Sequence, residues 1–119
     1  MATSFLVWSV EPRMGTARLV KPAGRVGEST ATAFGDRLSE EIEEAANDGV
    51  ARLVVDLAHV DYMSSRGLRG LTLAQRKAGE HQVTIVLARP NEAMQEILAI
   101  SRYDKVFKVF ATVAEAAAG

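Results

Sequence analysis

Two adjacent hydroxyls, Ser64 and Ser65, are the residues of this chain best placed to do chemistry. They follow the apolar Met63 and precede Arg66 and Gly67, and from Leu68 onward the pattern becomes helical. Serine favours the cap of a helix, where its oxygen accepts from a first-turn N–H. Other first-turn N–H groups stay free to face an anion. A serine held there can receive a phosphoryl group, and the added charge is stabilised where it sits. The plainer alternative is that the pair only caps, with Ser64 the better cap and Ser65 the better acceptor. Ser64 is the secondary acceptor candidate.

The elements around the pair must hold it at a junction. Leu53-Val54-Val55, closed by Asp56-Leu57, is short, β-branched and flanked by charge, which predicts a strand buried on both faces. A turn through Ala58, His59 and Asp61 then leads to Tyr62-Met63 and the serines. Residues 52–71 therefore form the stretch around which the remaining elements are organised.

Earlier in the chain, Phe5–Val10 and Thr16–Lys21 read as two strands. Glu11-Pro12-Arg13-Met14-Gly15 between them supplies turn chemistry, so an antiparallel hairpin is expected. Pro22-Ala23-Gly24 should break the second strand, leaving Arg25-Val26-Gly27-Glu28 as a loop. From Ser29 to about Asn47 the apolar residues Phe34, Leu38, Ile42 and Ala45 recur at helical spacing. Glu40, Glu41, Glu43 and Glu44 are assigned to the solvated face, and Asn47-Asp48-Gly49 ends the helix.

After the serines, Ser65–Gly79 reads as a helix with Leu68, Leu71, Gln75 and Ala78 inward. Val83–Ala88 is a buried strand, and Asn91 caps a helix over Glu92–Ile100 that buries Met94, Ile97 and Leu98. Val106–Phe110 is a short strand. Thr112 and Glu115 have the spacing of a capping box, which starts a helix over Thr112–Ala118. The order β-β-α-β-α-β-α-β-α predicts a single α/β domain over residues 1–119. Its sheet is mixed and mostly parallel, with right-handed crossovers and about four helices. Partners of such sheets meet the loops after the strand ends, and the Ser64-Ser65 turn is one of these.

Composition narrows the function further. The net charge is −1 and the basic residues form no run, which speaks against nucleic-acid binding. The absence of cysteine removes disulfides, thiolate nucleophiles and cysteine-based zinc sites. No apolar run approaches the roughly 20 residues of a membrane span, and residues 1–11 carry no signal-peptide pattern. The expectation is a cytoplasmic domain with no membrane or nucleic-acid partner, no cofactor and no metal.

Rival chemistries find less support. Asp56 invites comparison with a phosphoaspartate, but no acid pair follows Val7–Val10 or Leu19–Lys21 to hold magnesium. It reads better as a turn-bonding carboxylate. A serine hydrolase needs a glycine-flanked elbow and a base within reach, and Ser64-Ser65 lacks the preceding glycine. His59 and His81 read as solvent-facing loop residues. Gly15, Gly24 and Gly27 fit neither common phosphate-loop pattern. Phe5 and Trp8 lie on an edge-like strand, where exposure would permit weak self-association, so a monomer or weak dimer is expected.

The buried strand ending in Asp-Leu, the short turn, the aromatic-aliphatic pair Tyr62-Met63 and the Ser64-Ser65-Arg66-Gly67-Leu68 helix start together resemble the STAS domain of bacterial anti-sigma factor antagonists. Pro22-Ala23-Gly24-Arg25-Val26 and the C-terminal SRYDKVFKVFATVAEA extend the resemblance over nearly the whole chain. The family motif, Asp-Ser-Ser/Ala-Gly-Leu after an apolar residue, places Met63 at the apolar position, Ser64 at the Asp position and Ser65 at the phosphorylated serine. Arg66 stands where the family has a small residue. Gly27, with Glu28 beside it, stands where the family often has Asp.

The resemblance implies a non-enzymatic partner-switching regulator of transcription. Unphosphorylated, it would bind an anti-sigma factor with a serine-kinase fold and free a sigma factor. The kinase would phosphorylate Ser65 from ATP and break the complex, and a serine phosphatase would restore it. The implied docking face runs from Val60 to Leu71 with the loop around Gly24–Ser29. It includes Gly24, Arg25, Glu28, Asp61, Met63, Ser64, Arg66, Gly67 and Leu68, with Gly67 admitting the partner's backbone and Arg66 tuning the contact. The alternative is a STAS-like scaffold or ligand-binding module not regulated by phosphorylation.

Overall fold

Gly15 and Thr16 form a two-residue turn that closes the hairpin of β1 (Leu6–Met14) and β2 (Ala17–Val26). Gly15 adopts φ +65°, a conformation that costs little without a Cβ. The computed structural model describes residues 6–118, so Phe5 lies outside the described residues. The remaining elements are α1 (Ala31–Asn47), β3 (Arg52–Asp56), β4 (His59–Met63), α2 (Ser65–Glu80), β5 (Thr84–Ala88) and α3 (Glu92–Ser101). A 3-10 turn (Tyr103–Lys105), β6 (Val109–Phe110) and α4 (Val113–Ala118) complete the chain.

The sheet order is β1-β2-β3-β5-β6, with β4 paired to β2 off this path. Only the hairpin is antiparallel; β2–β3, β2–β4, β3–β5 and β5–β6 are parallel. The mixed, mostly parallel sheet predicted from the sequence is therefore present, as are the opening hairpin and four α-helices among the described residues.

Four local expectations are corrected. Pro22 does not end β2: residues Ala17–Val20 pair with β3 and Ala23–Val26 with β4. On the side facing β3 and β4, Pro22 falls in the gap where β2 changes neighbours, so its missing N–H takes nothing from either of those ladders; on the other side it is opposite Trp8 of β1. The predicted break survives as a bulge at Gly24/Arg25, with Gly24 at φ +117°. The predicted turn through His59 and Asp61 is instead β4, with Val60 and Met63 buried. The last strand is only Val109–Phe110, because the N–H groups of Val106 and Phe107 still donate to the Tyr103 carbonyl of the 3-10 turn, at 3.0 and 2.9 Å. Glu41 leaves the solvated face of α1: it is 6% exposed, and its Oε1 accepts from Arg18 Nε at 2.6 Å. The pairing of two opposite charges explains how β2 and α1 can bury both.

The helices α1, α2 and α3 bury one sheet face. Phe34, Leu38 and Ile42 meet Leu71, Ala74, Met94 and Leu98 over Val20, Leu53, Val55 and Leu87. Ala74 takes the inward place expected of Gln75. Trp8 is half-buried and meets Phe34 edge-on at 6.0 Å between ring centroids, with the Arg37 guanidinium 5.2 Å from its ring. The opposite face is smaller: Ala17, Leu19, Val54, Val86 and Ala88 are covered with Ala116 of α4. The expected capping box at the start of α4 is half formed: the Glu115 N–H donates to Thr112 Oγ1 at 3.1 Å, while Glu115 Oε1 accepts from the Thr112 hydroxyl at 3.2 Å rather than from its backbone N–H.

Candidate functional site

Parallel pairing of β2 with β4 brings the two halves of the predicted docking face to one edge. Val26, the last residue of β2, is opposite Met63, the last of β4. The Ser64 N–H donates to the Val26 carbonyl at 2.8 Å and carries the pairing one residue further. Beyond Val26 the chain turns through Gly27–Thr30 into α1. Thr30 Oγ1 donates to the Arg25 carbonyl at 2.6 Å and accepts from the Gly27 N–H at 2.9 Å, which closes the loop on itself.

Ser64 is the cap of α2. Its backbone is extended at φ −77°, ψ 174°, and its Oγ accepts from the Gly67 N–H at 3.3 Å. The Leu68 N–H donates to the Ser64 carbonyl at 2.9 Å, so the first helical bond starts at the cap residue. Ser65 is the first residue of the helix and is exposed. Neither hydroxyl hydrogen-bonds to a histidine or carboxylate among the described residues. His59 and His81 are both exposed, and among the described residues His81 Nδ1 pairs only with the Lys77 carbonyl. The two serines thus divide the work: one oxygen is engaged by the backbone, and the other faces outward.

Gly67 has a different structural reason from the one its motif implied. It is buried, and a Cβ there would lie 2.6 Å from Met63 Cγ and 2.7 Å from Val26 Cγ1. Glycine lets the first turn of α2 sit directly on the ends of β2 and β4. Met63 and Leu68 are 2% and 8% exposed, so these two and Gly67 support the face from beneath and do not line it. Arg25, Glu28, Asp61, Ser65 and Arg66 are exposed at this edge, and Gly24 and Ser64 are half-buried.

Charge at this edge is arranged in cross-links between segments. Arg66 Nη1 is 3.4 Å from Glu28 Oε1, joining α2 to the loop before α1; both side chains are mostly exposed. The Arg25 guanidinium lies 4.1 Å above the Tyr62 ring, joining β2 to β4. Farther along α2, Lys77 Nζ donates to Glu43 of α1 at 2.6 Å. That bond, and secondarily the lysine's charge, lower the Glu43 pKa below its ordinary value.

Asp56, the rival acid, is consumed by structure. It is 2% exposed, accepts from the Ala58 N–H at 3.0 Å, and takes a two-bond pair from Arg89 at 3.1 and 2.7 Å. The hydrogen bonding and then the charge of Asp56 raise the Arg89 pKa above its ordinary value. The expected turn-bonding carboxylate is there, but the arginine partner was not anticipated. Nor was Arg69, four residues after Ser65 on the same helix, although its spacing is a signal that the sequence carries.

A model of the STAS domain family matches residues 11–116. The chain belongs to the STAS domain family. The STAS domain is 33% identical to BtrV of Bordetella bronchiseptica over 87 residues, 73% of this chain and 74% of BtrV. It is also 33% identical over 82 residues to the anti-sigma-F factor antagonist RsfB of Mycobacterium tuberculosis, 69% of this chain and 66% of RsfB. The crystal structure of an anti-sigma factor antagonist from Mycobacterium paratuberculosis superposes with a TM-score of 0.76 at 24% identity, covering 94% of this chain and 91% of that one. This last likeness shows that the fold is shared.

Proposed function

We propose that this STAS domain is an anti-sigma factor antagonist that works by partner switching. Unphosphorylated, it binds an anti-sigma factor of serine-kinase type and frees a sigma factor. The kinase transfers the γ-phosphoryl group of ATP to Ser65 Oγ, leaving ADP and releasing the hydroxyl proton, and the complex then separates. A serine phosphatase hydrolyses the phosphoserine and restores binding.

The observation that carries this reading is the division of labour between the two serines. Ser65 is exposed on the first turn of α2, while the Ser64 oxygen is occupied by the Gly67 N–H. Family membership and the named function of RsfB support the same assignment. A phosphoserine carries about −1.5 to −2 charges near neutral pH. The start of a helix tolerates that charge, so the domain stays folded while its surface changes sign.

Intact mass after incubation with candidate anti-sigma kinases and ATP tests the proposal. One phosphate on the unaltered chain and on Ser64→Ala, lost in Ser65→Ala, is the expected result. No phosphate from a kinase that binds the domain tightly would leave a constitutive binding module instead.

A further inference from the structure

We propose that a phosphoryl group on Ser65 is held by the guanidinium groups of Arg66 and Arg69, and that Arg66 leaves Glu28 to take it. The inference rests on the reading of Ser65 as the modified residue and concerns what the modification does to the domain.

Three features of the edge lead to it. Arg69 is four residues after Ser65 on α2, so the two side chains are neighbours on one helix face. Long side chains on a helix lean toward its N-terminus, which carries the Arg69 guanidinium back toward Ser65. Arg69 is exposed and makes no ion pair among the described residues. The other cations nearby are engaged elsewhere: Arg25 lies on Tyr62, and Lys77 is bound to Glu43.

Arg66 is held loosely. Its contact to Glu28 is 3.4 Å long, with side chains 67% and 88% exposed, a pair that water and salt screen strongly. A phosphoserine one residue earlier is about 100° around the helix from Arg66, so the long side chain must swing away from Glu28 to reach it; the group offers up to two charges and three acceptor oxygens against one carboxylate. Guanidinium groups bind such oxygens through paired N–H donors, and these charge-assisted bonds are the stronger kind. Glu28 of the loop, Asp61 of β4 and Asp36 of α1, the acids exposed at this end of the molecule, would be repelled by the same group. Arg66, Arg69 and Asp36 all border the groove of about 440 Å³ between α1 and α2.

The consequence is local. Arg66 now ties α2 to the loop before α1, and both segments belong to the proposed docking face. Moving Arg66 onto the phosphate frees Glu28 and unlinks them without disturbing the buried supports Met63, Gly67 and Leu68. A partner that grips both segments would then meet a changed surface on an unchanged fold.

Phosphoserine incorporated at position 65 during synthesis, in the full chain, tests the pairing without any kinase. The titration of its phosphate is followed by phosphorus NMR in the parent and in Arg66→Gln, Arg69→Gln and Glu28→Gln, all exposed positions, with circular dichroism confirming the fold. Free phosphoserine loses its second proton near about pH 6. The expected result is a parent midpoint lower than in either arginine variant by about 0.2–0.4 pH unit each, with Glu28→Gln lowering it further. Midpoints unchanged in both arginine variants would overturn the proposal, and a response from Arg69 alone would overturn the exchange of Arg66. A domain that shows this pairing yet is never phosphorylated by a kinase would retain the inference and lose the switching role.

Discussion

The helices α2 and α3 each follow a sheet strand through a short junction, and they begin differently. At the start of α3, Asn91 uses both ends of its amide. Its Oδ1 accepts from the Met94 N–H at 2.9 Å, and its Nδ2 donates to the carbonyls of Ala58 and Val60 at 3.2 and 2.8 Å. Arg89, just before it, is bound to buried Asp56. At the start of α2, Ser64 accepts one bond of 3.3 Å, and the next two side chains, Ser65 and Arg66, face outward. The first turn spends its polar groups on holding β3, β4 and α3 together. The second is supported by packing under Gly67 and keeps its polar groups for the surface. A junction tied by inward hydrogen bonds and one that leaves its polar groups exposed can therefore share one sheet, because different forces fasten them.

The comparison can be broken most severely at Asn91. Asn91→Ala removes a cap and two inward bonds and strands two carbonyls, and it should cost about 2–3 kcal/mol. The midpoint of urea unfolding reads this directly. A loss no larger than that of Ser64→Ala would show that the two junctions are alike after all.

Gly67→Ala comes next. The added methyl meets the Met63 and Val26 side chains within 2.7 Å, so either those side chains or α2 must shift. The expected loss is about 2 kcal/mol by overpacking, again from the unfolding midpoint. An unchanged midpoint would mean that the glycine serves a partner and not the fold.

The smallest effects separate the two serines. Ser64→Ala should destabilise the domain by about 1 kcal/mol, as the loss of one cap. Ser65→Ala should stay within about 0.5 kcal/mol, as a surface change. Equal losses in thermal unfolding would mean that Ser65 also serves the fold, which would weaken its case as a free acceptor.

Much of this was legible from residue types alone. The short β-branched runs predicted β3 and β5, helical spacing predicted α1 and α3, and the caps at Ser64, Asn91 and Thr112 depend on bonds reaching three residues. Local chemistry of that range is written in local sequence. The resemblance to the STAS pattern rested on the same short stretches, and the family match bears it out.

What only the tertiary structure decided depends on partners distant in the chain. Pro22 reads as a breaker until β2 is seen to change neighbours there, and Glu41 reads as solvated until Arg18, 23 residues away, is folded against it. Met63 and Gly67 look like surface motif residues in a linear text, and the close packing of Gly67 on Met63 and Val26 turns them into supports. Glu28 meets Arg66 across 38 residues, a pairing that exists only because β2 and β4 run parallel. The sequence by itself determined which short segments become strand, helix or cap, since those preferences are settled within a turn or two of chain. Which polar groups are buried in pairs, and which remain exposed, was decided by the assembled sheet.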